Sequence, residues 1–197
     1  MDLNTSVFLS MNDFARATPW LNGPVAAFAG YGLVLFAALL VAGWWIARRD
    51  GDPARMAAAV WAPIGVLIAL AVNQPIADLA NVARPYSVLP DILVLAARST
   101  DPGLPSDHAV MVGAVTAGLF LVNRRLGVIA AVLALLMAFS RVYIAAHYPL
   151  DVLAGLGLGA AVSLAGYGLA HRPLTRMVVA LETTRLRPLL AVPAAGR

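Results

Sequence analysis

Cysteine is absent from the 197 residues, and so is lysine. The first absence excludes disulfides and thiolate metal sites. The second means that all 14 basic side chains are arginines. Charge of either kind is scarce, at 12% of residues, against 61% hydrophobic and a mean hydropathy of +0.81. Those values place the chain outside the soluble globular class, and its length suits a single domain. A formal charge of +4 raises the question of nucleic acid. The arginines are scattered between apolar stretches and form no continuous patch, so nucleic acid is not the expected partner. Anionic lipid head groups account for the bias better. The segment 1–22 lacks the basic start and apolar core of a cleavable signal peptide. Its Phe8, Leu9, Met11 and Phe14 are interspersed with polar residues, which predicts an interfacial amphipathic helix.

A bilayer-crossing helix needs roughly 20 mostly apolar residues. Five stretches qualify: Pro24 to Ile46, Met56 to Ala77, Ala109 to Asn123, Leu126 to Ser140 (continuing through Arg141 to Ala146) and Leu150 to Ala170. The third is short unless Pro105-Ser106-Asp107-His108 forms its first turn. Within the fifth, Gly155 and Gly159 make a small-xxx-small face for close helix packing, not a nucleotide loop. The expected architecture is an all-α polytopic bundle of about five transmembrane helices. Residues 1–172 are its membrane-embedded unit, and 173–197 an arginine-rich tail that lies on the membrane surface or is partly disordered. The richer set of arginines (48, 49, 55, 124, 125, 172, 176, 185, 187 and 197) falls on one side. The positive-inside rule then puts the C-terminus in the cytoplasm and the N-terminus outside a plasma membrane. Between Pro85 and Pro105 runs a long connection in which Pro90 starts a predicted short helix, either a lid or a simple apolar contact.

Ionisable groups cluster at the ends of these spans, where by default they mark function. His108 lies 16 residues before Arg124, and Arg141 lies 16 after Arg125. At about 1.5 Å per residue both stand roughly 24 Å from the hairpin turn, at matching depth. Arg84 and Arg141 are planar forks suited to phosphate, and Ser106 offers a hydroxyl. The start of the third span adds free N–H groups and a positive dipole end. His147 and Asp151 stand four apart across a helix start, so Asp151 is placed to accept from one ring nitrogen and leave the other bare for attack on phosphorus. His108 is placed to protonate the leaving oxygen. Two histidines and one carboxylate beside two arginines make a poor cation site, so no metal is expected. His171 reads as structural, Tyr86, Tyr143 and Tyr148 as packing residues, and Asp91, Arg98 and Asp101 as solvated loop charges.

These motifs resemble the signature of the type 2 phosphatidic acid phosphatase superfamily. It covers Arg84-Pro85, Pro105-Ser106-Asp107-His108 and the run from Arg141 through His147 to Asp151. The resemblance implies a helical core shared with haloperoxidases and metal- and cofactor-free hydrolysis of lipid phosphates. It implies His147 as nucleophile through a phosphohistidine, Asp151 as its orienter and His108 as general acid. Arg84, Ser106 and Arg141 hold the phosphate, with the amides of Asp107 and His108 as helpers. Asp107, where many members have glycine, is similar to bacterial undecaprenyl-pyrophosphate phosphatases, and its side chain is expected to turn away from phosphate. The lysine that the family places seven residues before the arginine is here Ala77; Asn73, Gln74 and Asn81 are the candidate substitutes. A lost charged hydrogen bond costs about 1.5–3 kcal/mol. The expected partners are membrane lipids and a lipid phosphate or pyrophosphate, foremost undecaprenyl pyrophosphate, cleaved outside the cell. Phosphatidic acid, phosphatidylglycerol phosphate and prenyl-linked sugar phosphates are the alternatives within that chemistry, and a non-catalytic lipid-phosphate binder or transporter is the rival of another class. A haloperoxidase is expected to be soluble, which the spans oppose.

Overall fold

At the centre of the bundle lies α6 (Asp107–Val122), packed against α4 (Pro53–Ala80), α7 (Arg124–Tyr143) and α8 (Pro149–Glu182). The computed structural model describes residues 2–191, and every regular element among them is helical. The remaining helices are α1 (Leu3–Ala17), α2 (Pro19–Tyr31), α3 (Leu33–Asp50), α5 (Pro85–Val88) and α9 (Arg187–Leu190). Three stretches are long and apolar enough to cross a membrane: Pro53–Val88, which contains α4, then α7 and α8. The pair α2 and α3 qualifies together, bent by 49°, and α6 is apolar but shorter. Large apolar side chains such as Leu35, Leu67, Val132, Leu153 and Leu169 are exposed around the outside, as a lipid-facing surface requires.

Local chemistry sets the boundaries. The Asp2 carboxylate caps α1 by accepting from the Thr5 amide at 2.7 Å. Asp52 caps α4 through the Ala54 amide at 2.9 Å, with Pro53 in the first turn. A single residue, Asn123, joins α6 to α7, and its side-chain oxygen accepts from the amides of Arg125 and Leu126. So tight a turn forces the two helices antiparallel and brings the start of α6 beside the end of α7.

The bundle centre is drawn together by small residues. The face of α8 carrying Gly155 and Gly159 lies directly on the α6 backbone. A Cβ at Gly155 sits 2.7 Å from the Ser106 carbonyl oxygen, and one at Gly159 runs into the Val110 carbonyl. The glycines are what let the Ser106 amide donate to the Asp151 carbonyl at 3.0 Å, so the starts of α6 and α8 are tied together.

Several elements depart from the sequence expectation. The first span is two helices, broken at Gly32, where a Cβ meets the Phe28 carbonyl at 2.5 Å and Met137 Cε at 2.9 Å. No helix follows Pro90. Asp91 adopts φ 55°, and the chain beyond it runs irregularly across α1 and the turn after α7. There Asn12 holds both backbone groups of Leu93, at 2.8 and 3.0 Å, and the Ile144 carbonyl accepts from Leu95 and Ala96. The short helix forms instead at Pro85, where proline supplies the first-turn φ. The boundary expected at 172/173 falls inside α8, which continues through Pro173 to Glu182 with Val178 buried. Trp44 and Arg48 hold the segment at α9 through the carbonyls of Leu189 and Pro188. Residues 192–197, including Arg197, lie outside the described part.

The packing generates a paired test. Nothing lies within 4 Å of a Cβ at Gly157, whereas Gly159 has no room for one. Gly157→Ala is expected to be neutral or stabilising by up to about 1 kcal/mol, as alanine favours helix. Gly159→Ala is expected to destabilise by about 1–3 kcal/mol through overpacking. Thermal unfolding in detergent reads the difference, and equal midpoints contradict this packing.

Candidate active site

The polar side chains of the bundle converge on one cavity of about 540 Å³ at the end where α6 starts and α7 stops. Arg84, Asp107, His108, Arg141 and His147 all line it, with Gln74, Leu70 and Ala71 of α4 and Ala97, Ser99 and Asp101 of the long connection. Ser106 and Asp151 are not on the wall; both are buried behind it. The long connection is therefore one side of the cup. Tyr86 braces it, its hydroxyl donating to the Ser99 carbonyl at 3.1 Å and accepting from the Ser99 amide at 2.9 Å.

His147 is delivered by the turn after α7, in which Ala145 takes a left-handed φ of 63°. The imidazole is 2% exposed. Its Nδ1 lies 2.8 Å from the Gly103 carbonyl oxygen, and its Nε2 lies 3.3 Å from Arg84 Nη1. A carbonyl can only accept, so Nδ1 carries the proton and donates. Nε2 then presents a bare lone pair on the cup side, accepting from the Arg84 fork. Asp151 does not make the bond expected of it. Its Oδ2 is 3.7 Å from Nδ1, beyond hydrogen-bond length, and accepts from the Tyr148 amide at 2.8 Å. The carboxylate caps α8 and acts on His147 as a nearby charge, while the backbone of Gly103 fixes the tautomer.

The two guanidiniums arrive with their charge uncompensated. Arg84 is held by carbonyls, its Nε donating to Asp101 at 2.9 Å and Nη1 to Ala146 at 3.4 Å. Among the described residues neither Arg84 nor Arg141 pairs with a carboxylate, and Arg141 Nε is buried with no partner. Two unneutralised cations in a partly buried cup are a built demand for an anion. Burial, the larger cause, and the two arginines push the His147 pKa below the ordinary imidazole value, with Asp151 opposing. His147 is therefore neutral at neutral pH.

Asp107 is tethered to α4. Its Oδ1 accepts from Asn73 Nδ2 at 2.7 Å and from Gln74 Nε2 at 3.1 Å. Asn73 spends its amide on this carboxylate and on the Pro105 carbonyl, whereas Gln74 holds the carboxylate and also borders the cup. Asn81 is the left-handed C-cap of α4. The carboxylate is drawn toward α4 but still borders the cup. No side chain caps α6, so its first amides are free of side-chain acceptors beside His108. The Ser106 hydroxyl is buried without a partner. No group of three or more His, Asp or Glu side chains fit to hold a metal occurs among the described residues.

Sequence reasoning missed Gly103, whose contribution is a carbonyl and leaves no side-chain signature. It also read Asp101, which lines the cup, as a solvated loop charge.

Comparisons with known proteins bear on the family and the fold. The PAP2 superfamily model matches residues 58–173, more than half of the chain, from α4 through the first part of α8. The bacitracin transport permease protein BcrC of Bacillus licheniformis is 29% identical over 158 residues, 80% of this chain and 76% of that one. The undecaprenyl-diphosphatase BcrC of Bacillus subtilis is 24% identical over 193 residues, 97% of each chain. A solved structure, the transmembrane PAP2-type phosphatidylglycerolphosphate phosphatase of Bacillus subtilis, superposes with a TM-score of 0.61 at 18% identity, over 87% of this chain and 88% of that one. That likeness is one of fold. With Arg84, His108, Arg141 and His147 all inside the matched segment and gathered on one cavity, the chain belongs to the PAP2 superfamily and is a membrane lipid phosphatase.

Proposed function

We propose that this protein hydrolyses undecaprenyl or a related polyprenyl diphosphate to the monophosphate, through a phosphohistidine on His147, at the extracytoplasmic face of the plasma membrane. The observation that carries the chemistry is the fixed tautomer: Nδ1–H on the Gly103 carbonyl, Nε2 bare beside Arg84. In the first step Nε2 attacks the terminal phosphorus. The bridging P–O bond breaks, and His108, which takes up a proton from water as the anionic diphosphate enters the cup, gives that proton to the departing lipid phosphate. In the second step water attacks the phosphohistidine, His108 takes the water's proton, the P–N bond breaks and inorganic phosphate leaves. Arg84 and Arg141, with the first amides of α6, meet the charge that spreads over the equatorial oxygens. Ser106 lies behind the wall, so its hydroxyl reaches phosphate only if the cup admits it that deep.

The substrate assignment is supported by the full-length similarity to an undecaprenyl-diphosphatase and by a cup roomy enough for two phosphates. The face is supported by charge. Arg124 and Arg125 lie at the turn opposite the cup, and Arg48, Arg49 and Arg55 flank the turn between α3 and α4. A divalent cation is unwelcome beside two free guanidiniums, which supports a metal-independent route. Similarity to a protein named as a bacitracin transport permease favours a second reading, a binder or transporter without turnover.

Phosphate release from a detergent-solubilised panel of polyprenyl diphosphate, phosphatidic acid and phosphatidylglycerol phosphate, with chelator present, separates these readings. Preferred release from the diphosphate, unaffected by chelator, is expected. His147→Ala is expected to lower kcat more than about a thousandfold while leaving the fold intact. Tight binding with no release from any lipid supports the second reading.

The acid limb of the pH–rate profile gives a further test. His147 reacts as the neutral base, so activity falls as pH drops through its lowered pKa. Asp151 favours the imidazolium, so Asp151→Asn, which can still accept from Tyr148, is expected to move that limb to lower pH with a modest loss of rate. A limb that moves upward contradicts the assignment of Asp151 as a neighbouring charge.

A further inference from the structure

A lipid whose phosphate sits in the cup must lead its tail out of it, and α4 marks a route. Gln74, then Leu70 and Ala71, face the cup, while Leu67, Val66 and Pro63 line a second cavity of about 270 Å³ farther along the same helix. These positions recur at three and four residues, so they form one stripe. On α6 the same face carries His108 and Met111 at the cup and then Val115 in the second cavity, and Met111 belongs to both. Phe36, Ala37 and Leu40 of α3 supply the far wall, and every residue lining this second cavity is apolar. From Gln74 to Pro63 the stripe runs about 16 Å along the helix axis. One end is polar and cationic, the other hydrocarbon, and Leu67 is 67% exposed along its margin. A larger apolar cavity of about 370 Å³ between α6, α7 and α8 shares no lining residue with the cup, so nothing joins it to the phosphate.

We infer that the trough between α3, α4 and α6 seats the proximal part of the substrate's own polyisoprenoid tail, and that Met111, Leu67 and Ala37 set the preference for a lipid over a tail-less phosphate ester. The inference rests on the function proposed above and adds the specificity surface to it. The tail lies in the trough with its diphosphate in the cup, and its distal units continue into the bilayer past the exposed margin of α4. The polar end accepts the charged head and the apolar walls accept the isoprene units, so a phosphate ester without a tail uses the cup alone.

The test fills the trough without touching the cup. Ala37→Trp and Leu67→Trp change exposed positions, and Ala160→Leu in the unconnected cavity is the control. Purified protein in detergent is assayed on undecaprenyl diphosphate and on p-nitrophenyl phosphate, which has no tail. Each tryptophan variant is expected to lower kcat/KM on the lipid about tenfold and leave the tail-less ester unchanged, by loss of apolar contact. The control is expected to change neither. Lipid turnover unaffected by both tryptophans overturns the inference and leaves the proposed function standing. If both substrates fall together, photolabelling of the wild type by a diazirine-bearing polyprenyl phosphate decides. Label on α3 or α4 supports the trough, and label confined to the α6–α7–α8 cavity overturns it. A wild type that turns over neither substrate overturns the proposed function and the tail assignment with it.

Discussion

The Gly103 carbonyl accepts a hydrogen bond from Nδ1–H of His147, and the tautomer of the ring follows from that bond. A carbonyl oxygen has lone pairs and no proton, so the ring is held in one tautomer with its unprotonated nitrogen on the cup side. The bond exists because the backbone around it is pinned. The Gly103 amide donates to the Val82 carbonyl at 2.7 Å, the Ser106 amide to the Asp151 carbonyl, and the glycine face of α8 lets those segments approach. Close packing in the lipid-embedded bundle and protonation at one nitrogen are thus parts of one arrangement. The position of Asp151 follows from the same packing. Its carboxylate caps α8 through the Tyr148 amide and remains near enough to bias the charge of the imidazole.

Charge is distributed with the same economy. Arg84 is fixed by carbonyls and Arg141 by burial, and among the described residues no carboxylate pairs with either. The one carboxylate at the start of α6, Asp107, is held by two neutral amides from α4. Amides can hold it without adding a charge that competes with the arginines. Ala77 stands where the family resemblance implies a lysine, and it brings no cation to the cup. Of the amides near it, Asn73 is committed to the Pro105–Asp107 segment and Gln74 both holds Asp107 and borders the cup.

Much of this was legible in the sequence because the bilayer enforces it. Ionisable residues at span ends are expensive unless they act together, so Arg84, His108, Arg141 and His147 announced a common site. The Arg124-Arg125 turn set the antiparallel register that brings two of them level. The bent first span was not legible, since a charge-free apolar run from Pro24 to Ile46 reads the same whether straight or broken. The break at Gly32 depends on Phe28 and Met137 closing around it. Pro90 signalled a helix start, but Asn12 and Ile144 claim the backbone groups that such a helix needs. Pro173 and the arginines after it suggested a loose tail, yet α8 runs on because Leu174 and Val178 find a cluster on α3 and α4. Gly103 left no trace because its contribution is a carbonyl, which every residue possesses.

The central claim is that His147 Nε2 forms a bond to phosphorus, and rapid-quench trapping tests it directly. Undecaprenyl diphosphate radiolabelled at its terminal phosphorus is mixed with enzyme, quenched in alkali within a single turnover and digested. The account predicts an acid-labile, base-stable label on the peptide containing His147, appearing before inorganic phosphate and absent from His147→Ala. Phosphate released at full rate with no label on that peptide, or with the label on His108, contradicts it.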